Sequence, residues 1–535
     1  MRHRSIQGWG VAGACALALT LCACAGIAQG TAAVEGKQMR FTVDLDFGAD
    51  IGQNYGSLFE AGTPDGKLTV GAGFMGVYNT RFRTDRHTVH LFVRPNGAER
   101  AVTLERLPRP SEEAGTYMFD LDGKLYASSR GADAAMRPWN PQTGAWEDPT
   151  EPVSRRMRVG NGILLMGSNQ VTYDGEVILG PPERGSYGLM YYANGYLCYY
   201  HQFAGTGSGY REYESDDAGF SRLYAVPWSP AAGGAADMSK AITLTLPQVG
   251  ETTFAWGQFG DQVMTGSNLG GFYVLDGGEW KTLRPPQIGV SFQIYSMLNY
   301  YDRVLMGQYP TGRLFEYDGK EMRELADAPP VMAGVSPSAR ELQTTAIYGG
   351  DVYAGVWPWG EVWRYNPDAE TWTFVDRMFT HPEASNVTVH PYEKECTALE
   401  IVLNQWGQRV TSLVPLGDRL MVSTSAKGPC PYDERLTVLG NDRWKEYGAV
   451  IALHAAGNLS VPITYTGAPT RLEFIIGGGK LRILQDGSEL ASTALEGDLA
   501  GLVAGAEALS PITWGKGVFG DFRGAGVSGR VEYSQ

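Results

Sequence analysis

Apolar and polar residues alternate without a break over residues 39–47, MRFTVDLDF. Met39, Phe41, Val43, Leu45 and Phe47 fall on one side, and Arg40, Thr42, Asp44 and Asp46 on the other. Strand side chains point alternately to opposite faces, so this segment predicts a strand with one buried and one wet face. Beyond it the pattern becomes a recurring phrase. A turn pair is followed by an apolar run ending in Gly or Ser, a short loop, a second apolar run carrying Tyr, and often a Trp. The clearest copies begin at Asp261 (DQVMTGSNLGGFYVLDGGEW), Asp302 (DRVLMGQYPTGRLFEYDG) and Asp351 (DVYAGVWPWGEVWRYNPDAETW). Fainter copies begin near Asp65, Asp122, Gly160, Asn194 and Asp418. Each copy predicts two strands of a small antiparallel sheet.

The copies recur at roughly 50 residues, the period of four-stranded propeller blades. One small twisted sheet cannot bury both of its faces, whereas a ring of them can. The fold expected is therefore all-β, a β-propeller of seven or eight blades over residues 53–447. Runs with helical spacing are absent outside the N-terminal segment. From about Ala455 the phrase stops. SVPITYTG, TRLEFIIGG and KLRILQDGSELASTAL predict strands, with Asp486-Gly487 as a hairpin turn. Residues 455–535 thus form a small β-rich module that is faintly similar to the closing strands of a concanavalin-like sandwich. The strand at 39–47 precedes the first unit and is a candidate to complete it.

The N-terminus changes the setting. Arg2 and Arg4 precede an apolar stretch from about Gly8 to Ala25, which predicts a targeting segment over residues 1–28. Cleavage after Ala28 would free the chain. Alternatively, Leu21-Cys22-Ala23-Cys24 resembles a bacterial lipobox and would place a lipid anchor at Cys24. Either route exports the chain to the periplasm, the cell surface or the outside, with no further stretch long enough to span a bilayer. The formal charge of −14 argues against nucleic acid or anionic lipid as a general partner. Past residue 28 the cysteines are Cys198, Cys396 and Cys430. A Cys396–Cys430 disulfide and three buried thiols are both compatible with an oxidising compartment.

Candidate chemistry sits where loops break the rhythm. The loop from Met75 to Thr88 carries Asn79, Arg81 and Arg83, and a guanidinium fork matches a carboxylate or sulfate. The plainer reading is a charged strand edge. The loop from His201 to Gly219 carries His201, Tyr210 and Arg211. Arg can neutralise a carboxylate and so acidify the adjacent C–H, which His or Tyr then deprotonates. The plainer reading is aromatic packing between sheets. Tyr309, Trp357 and Trp359 would offer flat faces to sugar rings as substrate-binding residues. His381, His390 and Glu395 match no metal spacing, and neither a metal nor a cofactor is expected. Serine-nucleophile, phosphate-loop and zinc-protease motifs are absent.

In Tyr365 and Trp372 the units resemble kelch and kelch-like repeats, although Gly349-Gly350 precedes its strand instead of ending it. That resemblance implies fold alone. In organisation the chain is similar to propeller-fold polysaccharide lyases of the ulvan and oligogalacturonide type. This second resemblance implies His201, Tyr210 and Arg211 as reacting groups, with Arg81 or Arg83 on an acidic polysaccharide cleaved by β-elimination. The paired histidines of the first type and the histidine-rich metal site of the second have no counterpart here. The expectation is an exported propeller that acts on or binds carbohydrate; the alternative is a non-catalytic carbohydrate- or protein-binding scaffold.

Overall fold

From Thr103 to His454 the chain lays down one small antiparallel sheet after another. The computed structural model describes residues 38–535 apart from 53–56, 80–84, 98–99, 130–134, 151–155, 168, 326–328, 367–368, 429, 431–432, 507–511, 518–520, 525–526 and 535. The targeting segment, Cys24, Arg81 and Arg83 lie outside the described residues. Among the described residues, seven blade sheets follow in order, at 117–146, 156–179, 186–245, 253–284, 293–324, 341–377 and 409–454. The first strands of neighbouring blades line the centre. This is a β-propeller. Its seventh blade is completed by a strand from before the first, Thr103–Leu107, which pairs with Val450–His454 from Thr103↔His454 to Leu107↔Val450. The seam is tied again inside, where Thr411 Oγ1 donates to Thr116 O and Met118 N–H donates to Ser412 Oγ.

Beneath the ring lies a β-sandwich built from both ends of the described chain. One sheet has six strands in the order Ser488–Ala494, Lys480–Gln485, Thr470–Gly477, Met39–Asp46, Val527–Ser534 and Asp521–Gly524. The other has five, in the order Asn458–Pro462, Thr88–Pro95, Leu68–Phe74, Ser57–Gly62 and Thr513–Gly517. Phe41, Val43, Val70, Leu91, Phe474 and Ile483 share the core between them. The alternation read over residues 39–47 marks a sheet with one solvent face. By contrast, LTVGAGF of Leu68–Phe74 is buried at every position, because its sheet has the sandwich core on one side and the propeller on the other.

Two expectations are corrected. The unit beginning at Asp65 is a sandwich strand and its continuation, not a blade. Residues 455–535 are not a separate module, because Met39–Asp46 lies between Thr470–Gly477 and Val527–Ser534. Local pattern could not reveal either fact. An apolar run of strand length looks the same in a blade as in a doubly covered sheet, and its partners here lie hundreds of residues away.

The five-stranded sheet and its loops meet the propeller at the turns between the first and second strands of the blades. Gly195 N–H donates to Ile51 O at 2.6 Å, and Gly160 N–H to Asp50 Oδ2 at 2.7 Å. Asp122 N–H reaches Asp85 Oδ2 at 2.6 Å, and Tyr301 OH reaches Glu60 Oε2 at 2.9 Å. Ser460 N–H donates to Gly417 O at 2.7 Å. Met75–Asn79 then rises from the sheet as a finger into the channel. Val77–Asn79 pairs with the first strand of the 293–324 blade, Asn79 opposite Ser296. The Asn79 carboxamide accepts from Thr345 N–H at 3.2 Å and donates to Thr345 O at 3.4 Å. The sequence-expected substrate ligand Asn79 is therefore buried in backbone pairing.

Asp50 and Asp120 show the electrostatics of this joint. Burial alone would raise Asp50, but Arg86 and His87, the latter 2.7 Å from its carboxylate, hold it well below the usual carboxylate range. Asp120 goes the other way: burial, and then the Asp85 carboxylate, push it up to about 8. The folded state thus keeps a proton that an unfolded Asp loses near pH 3.9. The stability tied to that proton is complete below about pH 4 and is lost as the pH rises to 8. Asp120→Asn imitates the protonated form. Its stability advantage over the parent should widen between pH 5 and 7, at a slope approaching about 1.4 kcal/mol per pH unit. Denaturant melts of the two proteins across that range measure it, and a constant gap would contradict it.

Candidate functional site

With one face of the ring covered by the sandwich and the channel entered by the finger, the opposite mouth is the remaining candidate face; Tyr295, Glu341, Gln343 and Arg409 lie buried in it, and Tyr309 and Lys427 are partly buried. It is built by the starts of the first strands, the ends of the second strands, and the connections that follow. Gln293 pairs with Tyr309 in the 293–324 blade, Glu341 with Trp357 in the 341–377 blade, and Arg409 with Ser425 in the last. Two residues inward the register slips in each, at Tyr295, Gln343 and Thr411. A bulge leaves one residue out of the ladder and re-aims its side chain. The same irregularity recurs near Phe254 in the 253–284 blade.

These positions make an aromatic sector and an ionic sector on successive blades. The Tyr295 ring lies 5.3 Å from Phe254 and 6.4 Å from Tyr309, and its OH donates to Gln293 Oε1 at 2.8 Å. One blade on, Gln343 donates through Nε2 to the Glu341 carboxylate, while its Oε1 is buried without a protein partner. Arg409 Nη2 lies 3.7 Å from Glu341 Oε2, and Nη1 donates to Lys427 O at 2.6 Å. Lys427 Nζ donates to Asn404 Oδ1 at 2.7 Å. Burial, and then the Arg409 charge, lower the Lys427 ammonium from its ordinary range. Two cations and one carboxylate side by side favour an anionic or strongly polar guest.

The sequence-expected site residues fare differently. His201 lies on Tyr196–Phe203, its Nε2 2.7 Å from Arg184 O and its ring edge-on to Tyr187 and Phe220. Burial lowers its pKa. Tyr210 is half exposed, and its OH accepts from Asn268 Nδ2 at 2.8 Å. Arg211 Nη2 donates to the carbonyls of Ala204 and Ala218 and so cinches its own loop. Each of the three is tied to a different neighbour. Trp357 and Trp359 are 2% and 1% exposed, so they do not present flat faces to solvent. Trp357 packs on His390 at 4.8 Å, and Trp359 Nε1 donates to Val389 O at 3.1 Å. The inserted segment 378–408 folds over them, which a strand pattern cannot foresee.

Tyr309 alone of the expected aromatics stays at the mouth, partly buried. Gln343, Arg409 and Lys427 went unnoticed, because single polar residues at strand ends carry no local signal. Their common feature, a polar residue opening or ending a blade's inner hairpin, becomes visible only when the blades are aligned. His381 Nδ1 meets Thr380 Oγ1, and His390 Nδ1 meets Glu393 Oε2, so these two histidines answer to separate neighbours. Cys198, Cys396 and Cys430 are free thiols. No helix among the described residues is long and apolar enough to cross a membrane.

No protein-family model matches this chain, and no curated protein matches it. Solved propellers are similar in structure. The WD40 repeats of RRP9 are 10% identical with a TM-score of 0.33, covering 66% of this chain and 97% of theirs. BamB from Moraxella catarrhalis is 10% identical with a TM-score of 0.31, covering 71% and 90%. The Cps50 (Swd1) β-propeller domain from Myceliophteria thermophila is 10% identical with a TM-score of 0.32, covering 66% and 99%. At such identity the likeness is one of fold.

Burial of Trp357 and Trp359 gives a direct expectation. Trp357→Ala or Trp359→Ala should destabilise the protein by about 3–5 kcal/mol, the cost of emptying a large aromatic site. Thermal or denaturant melts check this. A variant that keeps its full stability would return these rings to the candidate ligands.

Proposed function

We propose that this chain is an exported, non-catalytic propeller that holds an acidic carbohydrate at the mouth of its channel. The observation that carries this reading is the placing at that mouth of Tyr295 and the partly buried Tyr309 on one blade and of Arg409 and the partly buried Lys427 two blades further round, with Glu341 on the blade between. Aromatic rings suit the apolar faces of sugars, and a guanidinium or ammonium suits a uronate carboxylate. The covered opposite face leaves this concavity as the natural place for a guest. The binding reading is favoured over β-elimination by how the chemical groups are used. His201 meets a backbone carbonyl through Nε2, and Arg211 is spent on two loop carbonyls. Arg211 is thus not free to neutralise a carboxylate for His201 to act beside as a base.

Full-length protein is titrated with polygalacturonate, alginate and, as a neutral control, laminarin, while absorbance of a conjugated double bond is followed. The expected result is saturable, salt-sensitive binding to a uronate polymer with a flat absorbance trace. Tyr309→Ala and Lys427→Gln should each weaken binding about tenfold, a loss of about 1.4 kcal/mol. Binding that survives both substitutions would move the site elsewhere. An absorbance rise that His201→Ala abolishes would replace the binding reading with a lyase.

A further inference from the structure

Where the first blade meets the last, the seam of the ring carries a groove with room of about 250 Å³. Lys124, Trp139, Asn140, Gln142 and Glu147 of the first blade line it, and Leu416 of the last blade lines it from across the seam. Lys124 opens the second strand of its blade, directly after the turn from the first, and Leu416 ends the first strand of the last blade. Both positions lie toward the sandwich, so the groove is on the side of the ring away from the channel mouth. Its volume falls just below that of drug-sized sites and suits a guest of one ring.

Trp139 gives the groove an aromatic surface held in place. It is partly buried and stands opposite Trp146 in the outer strand pair, the two rings 5.0 Å apart and edge-on. Trp146 Nε1 donates to Pro108 O at 2.7 Å, next to the strand that completes the last blade. Trp139 is the member of this anchored pair that lines the groove. An aromatic ring already fixed by its neighbours loses little freedom when a guest settles on it.

The polar groups beside it form a connected row. Asn140 Nδ2 donates to Glu147 Oε1 at 3.1 Å, and Lys124 Nζ lies 3.3 Å from Glu147 Oε2. Asn140 Oδ1 accepts from the backbone N–H groups of Gln142 and Thr143, which fixes the carboxamide. The charges of Lys124 and Glu147 cancel, so the row attracts neither anion nor cation. A carboxylate accepts more bonds than these contacts use, and an ammonium donates more. The Gln142 carboxamide stands exposed at the edge and can do both. A neutral sugar ring has the matching chemistry, with a C–H face for the indole and hydroxyls that donate and accept.

We infer that this groove is a binding site for one uncharged pyranose ring, which stacks on Trp139 and hydrogen-bonds to Glu147, Lys124 and Gln142. The site shares no residue with the mouth and does not depend on the uronate reading. A single ring offers few contacts, so binding is weak, near about 1 mM. It is also insensitive to salt, unlike binding of a uronate polymer by cations.

Saturation-transfer difference NMR on the full-length protein tests this, with methyl β-glucoside and cellohexaose as probes. Both should receive saturation at their ring C–H protons, with affinities within about threefold of each other, because only one ring fits. Trp139→Ala should abolish the transfer. Gln142→Ala, at an exposed position where the fold is indifferent to it, should weaken affinity about fivefold, the effect of one lost hydrogen bond. Tyr309→Ala and Lys427→Gln should leave both probes unaffected, which separates failure of this site from failure of the mouth. An absent signal in the parent protein would overturn the inference. A signal from cellohexaose alone, one that survives both Trp139→Ala and Gln142→Ala unchanged, or one lost in Tyr309→Ala would overturn it as well.

Discussion

A buried cluster of ions joins the two halves of this molecule, and the arrangement of everything else follows from it. Arg94 of the sandwich lies between Glu60 at 3.6 Å and Asp351 of the propeller at 3.4 Å. Arg100 and Arg364 each approach Asp351 at 3.7 Å, and Tyr301 donates to Glu60. Asp351, Arg94 and Glu60 are all nearly inaccessible. Charges at this depth contribute little net stability compared with an apolar contact, yet removing one partner strands the others at a cost of several kcal/mol. Such a cluster therefore acts less as glue than as a key. Only one rotation of the sandwich beneath the ring satisfies three guanidiniums and two carboxylates at once. Asp85 with Arg158 repeats the device under the second blade.

That fixed seat explains features that look odd within the repeat. Gly349 and Gly350 stand at the turn of the 341–377 blade with φ of 58° and 83°. A Cβ on Gly349 would fall 2.2 Å from Arg100, and one on Gly350 would fall 2.4 Å from Phe92. The displaced glycine pair thus serves the docking of the sandwich, since only Gly combines that backbone with so close an approach. The finger is another consequence. A sheet seated across the ring can send a strand, Val77–Asn79, up the channel and pair it with the edge of a blade strand. This fills space that ring closure leaves empty and protects an edge from other partners.

The two ends of the described chain meet in the sandwich, and the propeller is inserted between them. Closure is therefore enforced twice, by Thr103–Leu107 in the last blade and by Met39–Asp46 between the C-terminal strands. With one face committed to this double closure, the loops of the other are free to vary. The long segment 378–408 lies there and covers Trp357 and Trp359.

The sequence alone determined what depends on near neighbours. Strand period and recurring turns predicted an all-β chain, blade-like units and the half-wet strand at 39–47, because alternation and turn chemistry act over a few residues. The chemistry expected of His201, Tyr210, Arg211, Trp357 and Trp359 was equally local, and it could not foresee the partners that each side chain meets in the fold. Tertiary structure decided the rest: that the Asp65 unit belongs to a sandwich, that the Asn79 segment enters the channel, and that Gln343, Arg409 and Lys427 share its mouth. Those outcomes depend on pairings across hundreds of residues and on which groups are denied water. Neither long-range register nor burial is written in any short stretch of sequence.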